Sequence, residues 1–200
     1  MKEFSEITMD MPTFNKLYKP KCNLTEDKKF SSQHPKAVDS TIESLIERDQ
    51  AIRTKAHKQN ANRSEEEIKA LEKEMHDVDS TNFLVLYDCI RKYGMPRLDY
   101  PNSFSRISLL MHIDNYENFK KIDGYLLKAI NEGLFNPANY AYSLDRSLVA
   151  SGLKPKYYWF IPETSFAEKY KPEQTEISKI NEDRKSIGLP PYPTWTGWGF

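Results

Sequence analysis

The stretch from Arg106 to Arg146 constrains the fold most strongly, because it combines apolar runs at helical spacing with polar residues inside them. His112 stands within R-I-S-L-L-M-H-I-D, and Asp145 and Arg146 stand within A-Y-S-L-D-R. Burying such groups costs several kcal/mol unless each finds a partner. The stretch therefore predicts a polar centre inside a helical core.

The composition is typical of one globular domain with no charge preference for its partner. The chain has 200 residues, of which 38% are hydrophobic, and its 29 basic and 29 acidic side chains leave no net charge. This balance argues against nucleic acid or an anionic membrane as a partner held by bulk electrostatics. The two cysteines, Cys22 and Cys89, are too few for a disulfide framework and suggest no zinc site.

The sequence shows neither a signal peptide nor a membrane-spanning helix. Its first ten residues, M-K-E-F-S-E-I-T-M-D, lack the apolar segment of a signal peptide. No stretch approaches the run of apolar residues that a membrane helix needs. A cytoplasmic location is expected, although a chain trimmed of a signal sequence would look the same.

Helix-capping residues and apolar spacing predict a mainly α-helical fold: a compact multi-helix domain with at most a short β-hairpin near the C-terminal third. Residues 1–38 are predicted to form an irregular arm, residues 39–189 the helical domain, and residues 190–200 a proline- and aromatic-rich tail packed on it. The predicted helices begin at Ser40, Ser64, Asp79, Ser103 or Ser105, Asn115, Asn136-Pro137 and Pro172. The aromatic run Lys156–Ile161 is the one predicted strand.

Polar residues recur on the apolar faces of separate predicted helices. They form four pairs along the chain: Asp49 and Arg53, His112 and Asp114, Asp145 and Arg146, Asn181 and Arg184. A single buried charged pair is usually structural, but a domain rarely places three arginines on inward faces for stability alone. A histidine among carboxylates can act as a general acid or base, and arginines suit an anionic ligand. No pair has metal-ligand spacing such as H-x-x-x-H, so neither a metal nor a cofactor is predicted.

Six motifs occur between Leu45 and Leu189 in the order E-R-D-Q-A-I-R, K-Y-G-M-P, L-L-M-H-I-D, A-Y-S-L-D-R, G-L-K-P-K-Y-Y and N-E-D-R-K-S-I-G-L. This series resembles an uncharacterised bacterial family, the domain-of-unknown-function family numbered sixty-six twenty-four. Its members show D-Q-x-x-R, Y-G-x-P, Q-H-x-D, A-Y-L-x-D-R, Q-x-Y-G-T and N-x-R-R-x-x-G-L in the same order. The resemblance implies a shared polar site at Asp49, Gln50, Arg53, His112, Asp114, Asp145, Arg146, Asn181 and Arg184.

Two departures from the family pattern bear on activity. Met111 replaces the glutamine before the histidine, and the Q-x-Y-G-T motif keeps only Tyr158, followed by Trp159 and Phe160. If the family's Gly-Thr pair lines a ligand pocket, these two aromatic residues narrow it, and activity is altered or lost. The family has no known reaction, so the resemblance implies a site without naming its use.

The leading functional prediction is a bacterial α-helical protein whose central polar pocket binds a small anionic ligand and could hydrolyse it. In this prediction His112 is the acid or base and Asp145 orients it. The predicted ligand-binding residues are Asp49, Arg53, Asp114, Arg146, Tyr158, Asn181 and Arg184. The alternative is a non-catalytic protein that binds a protein partner, for instance an immunity-type protein, in which the polar cluster is structural.

Overall fold

The computed structural model describes residues 36–58, 63–96, 98, 104–113, 115–159 and 170–192, which form helices and, within these ranges, no strand. The fold is mainly α-helical, as predicted. The helices are α1 (Lys36–Lys58), α2 (Glu65–Tyr93), α3 (Phe104–Met111), α4 (Tyr116–Asn131), α5 (Pro137–Ala150) and α6 (Ile177–Ser186). None of them is both long and apolar enough to cross a membrane.

The core lies between two helix pairs that α3 connects. Helix α1 packs against α2, and α4 packs against α5, while α3 contacts α1, α2 and α5. The largest fully buried apolar and aromatic side chains of the described residues are Tyr140, Tyr157, Phe119, Phe135, Ile42, Leu86, Ile90, Leu98, Leu110, Ile122 and Leu126. Because α3 touches both pairs, its polar residues lie near the centre of the domain.

Helix α1 begins earlier than the predicted start at Ser40. It starts at Lys36, so Ser40 is inside the helix rather than at its cap. Val38 is buried and belongs to the same core as Ile42 and Leu45, at the spacing of one helix face. The apolar face thus extends the helix past a serine that looks like a cap, and residues 36–38 belong to the domain rather than to the arm.

Helix α2 is continuous where the sequence predicted two helices, Glu65–His76 and Phe83–Tyr93. Its N-terminus is the predicted one, because Ser64 and Glu67 form a capping box. The second predicted start, at Asp79, is wrong. Thr81 donates its hydroxyl to the Asp77 carbonyl, and Asn82 donates to the Leu45 carbonyl on α1. These polar side chains bond within the helix or to a neighbour instead of capping a new helix.

The ends of the other helices are partly as predicted. Asn115 and Asn136 cap α4 and α5 through hydrogen bonds to the backbone N–H groups of Asn118 and Ala138. Helix α3 ends at Met111, so His112 lies in the turn after it rather than mid-helix. Helix α6 begins at Ile177, after a turn, and not at Pro172.

The capping box of α2 gives a first prediction. Replacing Ser64 with alanine removes the side-chain oxygen that accepts from the Glu67 N–H at 3.2 Å. We expect a loss of about 1 kcal/mol in the free energy of unfolding, the usual effect of losing an N-cap. Urea denaturation measures it, and Ser64→Asp, which restores an acceptor, should recover most of the loss.

The predicted strand at Lys156–Ile161 is wrong over residues 156–159, which are irregular. Their backbone N–H and carbonyl groups bond to side chains, as shown below, rather than to a second strand. Residues 160–161 lie outside the described part, as do residues 1–35 of the arm and residues 193–200 of the tail. The tail residues 190–192 are described, and they contact α6 through Arg184 and Asn181.

Candidate functional site

The predicted site residues fall into two hydrogen-bonded clusters. The His112 cluster consists of Asp49 and Arg53 on α1, Asp79 on α2, Ser108 on α3 and His112 just after α3. The Asp145 cluster consists of Asp145 on α5, Arg184 on α6 and the backbone of residues 156–159. Different helices form the two clusters, so the residues that were predicted to form one site belong to two.

Asp49 is the centre of the His112 cluster. Its side chain is only 1% exposed, and its Oδ1 lies 2.6 Å from Nδ1 of His112. Its Oδ2 accepts hydrogen bonds from Gln50 at 2.9 Å and from the Ser108 hydroxyl at 3.2 Å. Both oxygens therefore have partners, which offset the cost of burying the carboxylate.

Arg53 bonds mainly to Asp79 rather than to Asp49. Its Nη2 donates to both Asp79 oxygens, at 2.5 and 2.6 Å, whereas its Nε lies 3.7 Å from Asp49 Oδ1. That Nε is buried and has no hydrogen-bond partner in the described structure. The predicted Asp49–Arg53 pair on one helix face is thus present, but it is the weaker of the two ion pairs that Arg53 makes.

Burial and pairing act differently on the two carboxylates. Burial would raise the pKa of Asp49, but the contacts with His112, Arg53 and Ser108 outweigh it and hold that pKa below its ordinary value. Burial also raises the pKa of Asp79, and there the hydrogen bond from Arg53 offsets it only in part. Asp49 is therefore the more firmly ionised of the two.

His112 is held by Asp49 and not by Asp145, so the predicted orienting residue is wrong. A carboxylate at Nδ1 fixes the ring tautomer and its orientation. The described residues show no hydrogen bond to Nε2, and the side chain is 17% exposed. One ring nitrogen is thus bound to a carboxylate and the other has no hydrogen bond in the described structure. Histidines that act as general acids or bases have this arrangement.

Two residues of the His112 cluster, Asp79 and Ser108, were not predicted. Asp79 was read as a helix start, yet it falls at helical spacing with Leu71, Met75 and Phe83 on one face of a continuous α2. Ser108 precedes His112 by four residues, one helical turn. In one continuous helix, Asp79 lies on an apolar face just as Asp49 does on α1, and this spacing is the sequence signal for it.

Asp145 is fully buried and bonds to three backbone N–H groups. Its Oδ1 accepts from Lys156 at 2.8 Å and Tyr157 at 2.9 Å, and its Oδ2 accepts from Trp159 at 2.7 Å. These bonds fold residues 156–159 onto α5. Asp145 therefore acts as a structural anchor for this segment, and the catalytic role predicted for it is not supported.

Arg184 is buried against the same segment. Its Nη1 donates to the Tyr157 carbonyl at 2.8 Å, and its Nε donates to the Pro190 carbonyl at 2.6 Å. The guanidinium lies over the rings of Trp159 and Tyr192, with 4.9 and 5.8 Å from its central carbon to the ring centroids. Carbonyl oxygens and aromatic faces thus surround the group that was predicted to bind an anion.

Of the remaining predicted ligand residues, Tyr158 and Asn181 support the Asp145 cluster. Tyr158 is buried, adopts a positive φ of 51°, and has its pKa raised by burial to about 12. Asn181 accepts from the Tyr192 N–H at 2.6 Å. Arg146 is half-buried on α5. Asp114 lies outside the described residues.

Comparison with known proteins gives no further guide to the site, since no family model, curated protein or solved structure matches the chain.

Proposed function

We propose that the chain binds a small anionic ligand at the His112 cluster, with His112 as the acid or base and Asp49 as the residue that orients it. The observation that carries this proposal is the 2.6 Å contact between Nδ1 of a partly exposed His112 and Oδ1 of a buried Asp49. Hydrolysis of the ligand is the reaction class that this pair of residues suits best.

The chemistry follows from the anchored nitrogen. When the neutral ring keeps its proton on Nδ1 and donates a hydrogen bond to Asp49, Nε2 carries a lone pair. That nitrogen can then take a proton from a water molecule. When the ring is protonated, Nε2–H donates to an anionic group while Asp49 stabilises the charge of the ring. Ser108 and Gln50 hold the second oxygen of Asp49 and so keep its orientation fixed.

The proposed ligand site is smaller than the sequence suggested. It keeps Asp49, Arg53 and His112 and adds Asp79 and Ser108, while the contacts of Asp145 and Arg184 are those of a structural role. The resemblance to the uncharacterised bacterial family stays a prediction, and so do the bacterial origin and the cytoplasmic location. The family motifs support the proposal because Asp49, Arg53 and His112 are among the positions that they share.

A second candidate is a non-catalytic protein that binds a protein partner, with a purely structural polar cluster. The observation that favours it is that each charged group of the His112 cluster already has an opposite charge within 3.7 Å. Removal of the imidazole distinguishes the two candidates, because only the first requires that group for ligand binding.

Replacing His112 with glutamine tests the proposal. We expect inorganic phosphate to shift the ring NMR signals of His112 in the wild-type protein kept in a metal chelator. Hydrolysis of p-nitrophenyl phosphate should fall by roughly 10²–10⁴-fold in the variant, the usual contribution of a general acid or base. The matched control is His76→Gln, which removes an exposed histidine of α2. It should leave the phosphate-induced shift of His112 and the rate of hydrolysis unchanged.

Two results would contradict the proposal. One is a wild-type protein whose His112 NMR signals do not shift when phosphate is added and whose rate of hydrolysis equals that of the buffer alone. The other is a His112→Gln variant that stays folded and keeps full activity. Far-UV circular dichroism and thermal unfolding of each variant separate loss of function from loss of fold.

A further inference from the structure

The charges of the His112 cluster are unbalanced while the imidazole is neutral. Asp49 and Asp79 carry two negative charges, and Arg53 carries one positive charge. The side chains of both carboxylates are at most 10% exposed, so water compensates the difference poorly. A proton on His112, a proton on Asp79 or a bound cation would each remove this imbalance.

Possible ligand atoms from α1, from α2 and from the turn after α3 meet in this cluster. One carboxylate oxygen from each of Asp49 and Asp79 and one ring nitrogen of His112 all lie within 4.8 Å of one another. A cation with bonds of about 2.1 Å has ligand atoms about 3 to 4.2 Å apart, so small side-chain rotations suffice to close the site. Sequence spacing did not reveal this set because its members are about 30 residues apart on α1, on α2 and after α3.

Arg53 leaves room for a cation at Asp79. A single nitrogen, Nη2, contacts both oxygens of that carboxylate and therefore occupies the space between them. A carboxylate has about four lone-pair positions, so each oxygen keeps one on its outer side. The guanidinium and a cation can therefore share Asp79 while each oxygen binds the cation singly.

Two buried polar atoms, one on a member of the cluster and one in the turn of α2 that follows Asp79, can bond to a ligand that has both hydrogens and lone pairs. They are Nε of Arg53 and Oδ1 of Asn82, and neither has a hydrogen-bond partner in the described structure. Asn82 is 5% exposed, follows Asp79 by three residues, and donates to the carbonyl of Leu45, one turn before Asp49. Such buried atoms call for a partner, and a water molecule can accept from the first or donate to the second.

We propose that Asp49, Asp79 and His112 together bind a divalent cation of the class that accepts mixed carboxylate and imidazole ligands, such as Mn²⁺ or Zn²⁺. Mg²⁺ and Ca²⁺ are less suited, because they prefer oxygen ligands throughout. The cation deepens the proposed function at the same site. It changes the net charge of the cluster from negative to positive and would therefore strengthen the binding of an anionic ligand. A bound cation would take His112 as a ligand and would supply an acidified water molecule for proton transfer.

Titration with the metal alone tests this inference. After chelator treatment and dialysis, MnCl₂ or ZnCl₂ should bind the full chain with one saturable site in isothermal titration calorimetry. Asp79→Asn and His112→Gln should each weaken binding at least about tenfold, in the range known for lost ligand-shell groups. The matched control is Asp88→Asn, which removes an exposed carboxylate on the same helix, paired with Lys92, and should bind as the wild type does.

A second measurement uses the wild-type protein, so it can be made even if the variants fail to fold. Substoichiometric Mn²⁺ should broaden the ring NMR signals of His112 and the side-chain amide of Asn82 before those of the exposed His57 and His76. Absence of saturable binding, equal broadening of all three histidines, or full affinity in a folded Asp79→Asn would each overturn the cation site. None of these results depends on phosphate binding in chelator, so the two proposals can fail separately.

Discussion

Replacing Asp145 with alanine will lower the free energy of unfolding by about 3–5 kcal/mol, the largest effect that we expect from a single substitution in this chain. Asp145 is 0% exposed, and its carboxylate accepts the backbone N–H groups of Lys156, Tyr157 and Trp159. Alanine leaves these donors without acceptors, and each buried donor without a partner costs about 1–3 kcal/mol. Because a domain of this size is marginally stable, the variant is expected to populate unfolded protein.

The amide variant Asp145→Asn makes this prediction specific to the carboxylate. Both oxygens of Asp145 accept hydrogen bonds, so an amide NH₂ placed at either position faces an N–H donor. The variant should therefore lose nearly as much stability as the alanine variant, although it is almost isosteric. Urea denaturation followed by far-UV circular dichroism measures both.

A matched control for Asp145 is Asp183→Asn on α6. Asp183 is half-buried and pairs with Lys179 at 3.2 Å on the same helix, an ion pair of the surface type. Its loss should cost less than about 1 kcal/mol. If Asp145→Asn were as stable as this control, the three hydrogen bonds would not anchor residues 156–159 as the structure indicates.

Local signals predicted the helix ends that depend on local chemistry. Ser64, Asn115 and Asn136 cap helices as expected, since their bonds reach only two or three residues along the chain. The same signals failed at Ser40 and Asp79, which resemble caps but lie inside long helices. Whether such a residue caps a helix depends on the partners that a neighbouring helix provides for its side chain. Arg53 on α1 forms an ion pair with Asp79. That information is not local.

The predicted strand failed for a related reason. Aromatic residues between two prolines favour extended chain, and residues 156–159 are indeed without helix. An extended segment becomes a strand only if another strand accepts its backbone groups. Here Asp145 and Arg184 bond to those groups from two different helices. Side chains more than ten residues away in sequence thus decide the outcome.

Helical spacing predicted three of the buried polar residues but not which polar residues meet. Asp49, Asp145 and Arg184 are all buried, as their places on apolar faces indicated. Periodicity within one helix, however, says nothing about which face of a second helix packs against it. His112 was therefore assigned to the wrong aspartate, and Asp79 was missed.

Asp49 is expected to be coupled more strongly to His112 than to Arg53. Replacing Asp49 with alanine should cost about 2–4 kcal/mol, because His112 and the Ser108 hydroxyl lose a buried partner. A double-mutant cycle then separates the contributions. The coupling between Asp49 and His112, which are 2.6 Å apart, should be about 1–3 kcal/mol and should exceed the coupling between Asp49 and Arg53, which are 3.7 Å apart.

The geometry gives the ranking a physical reason. Arg53 keeps Asp79 when Asp49 is lost, with Nη2 at 2.5 Å from its carboxylate, so its charge stays compensated. His112 has no hydrogen bond to a second carboxylate in the described structure, and an oxygen of Asp79 comes only within 4.8 Å of its ring. Removing His112 as well should therefore recover most of the cost of removing Asp49 alone. Chemical denaturation of the four proteins of each cycle, in chelator and at neutral pH, gives the two coupling energies. If the Arg53 coupling were the larger, Asp49 would serve mainly as the helix-face partner of Arg53, and the oriented histidine on which the proposed function rests would lose its physical support.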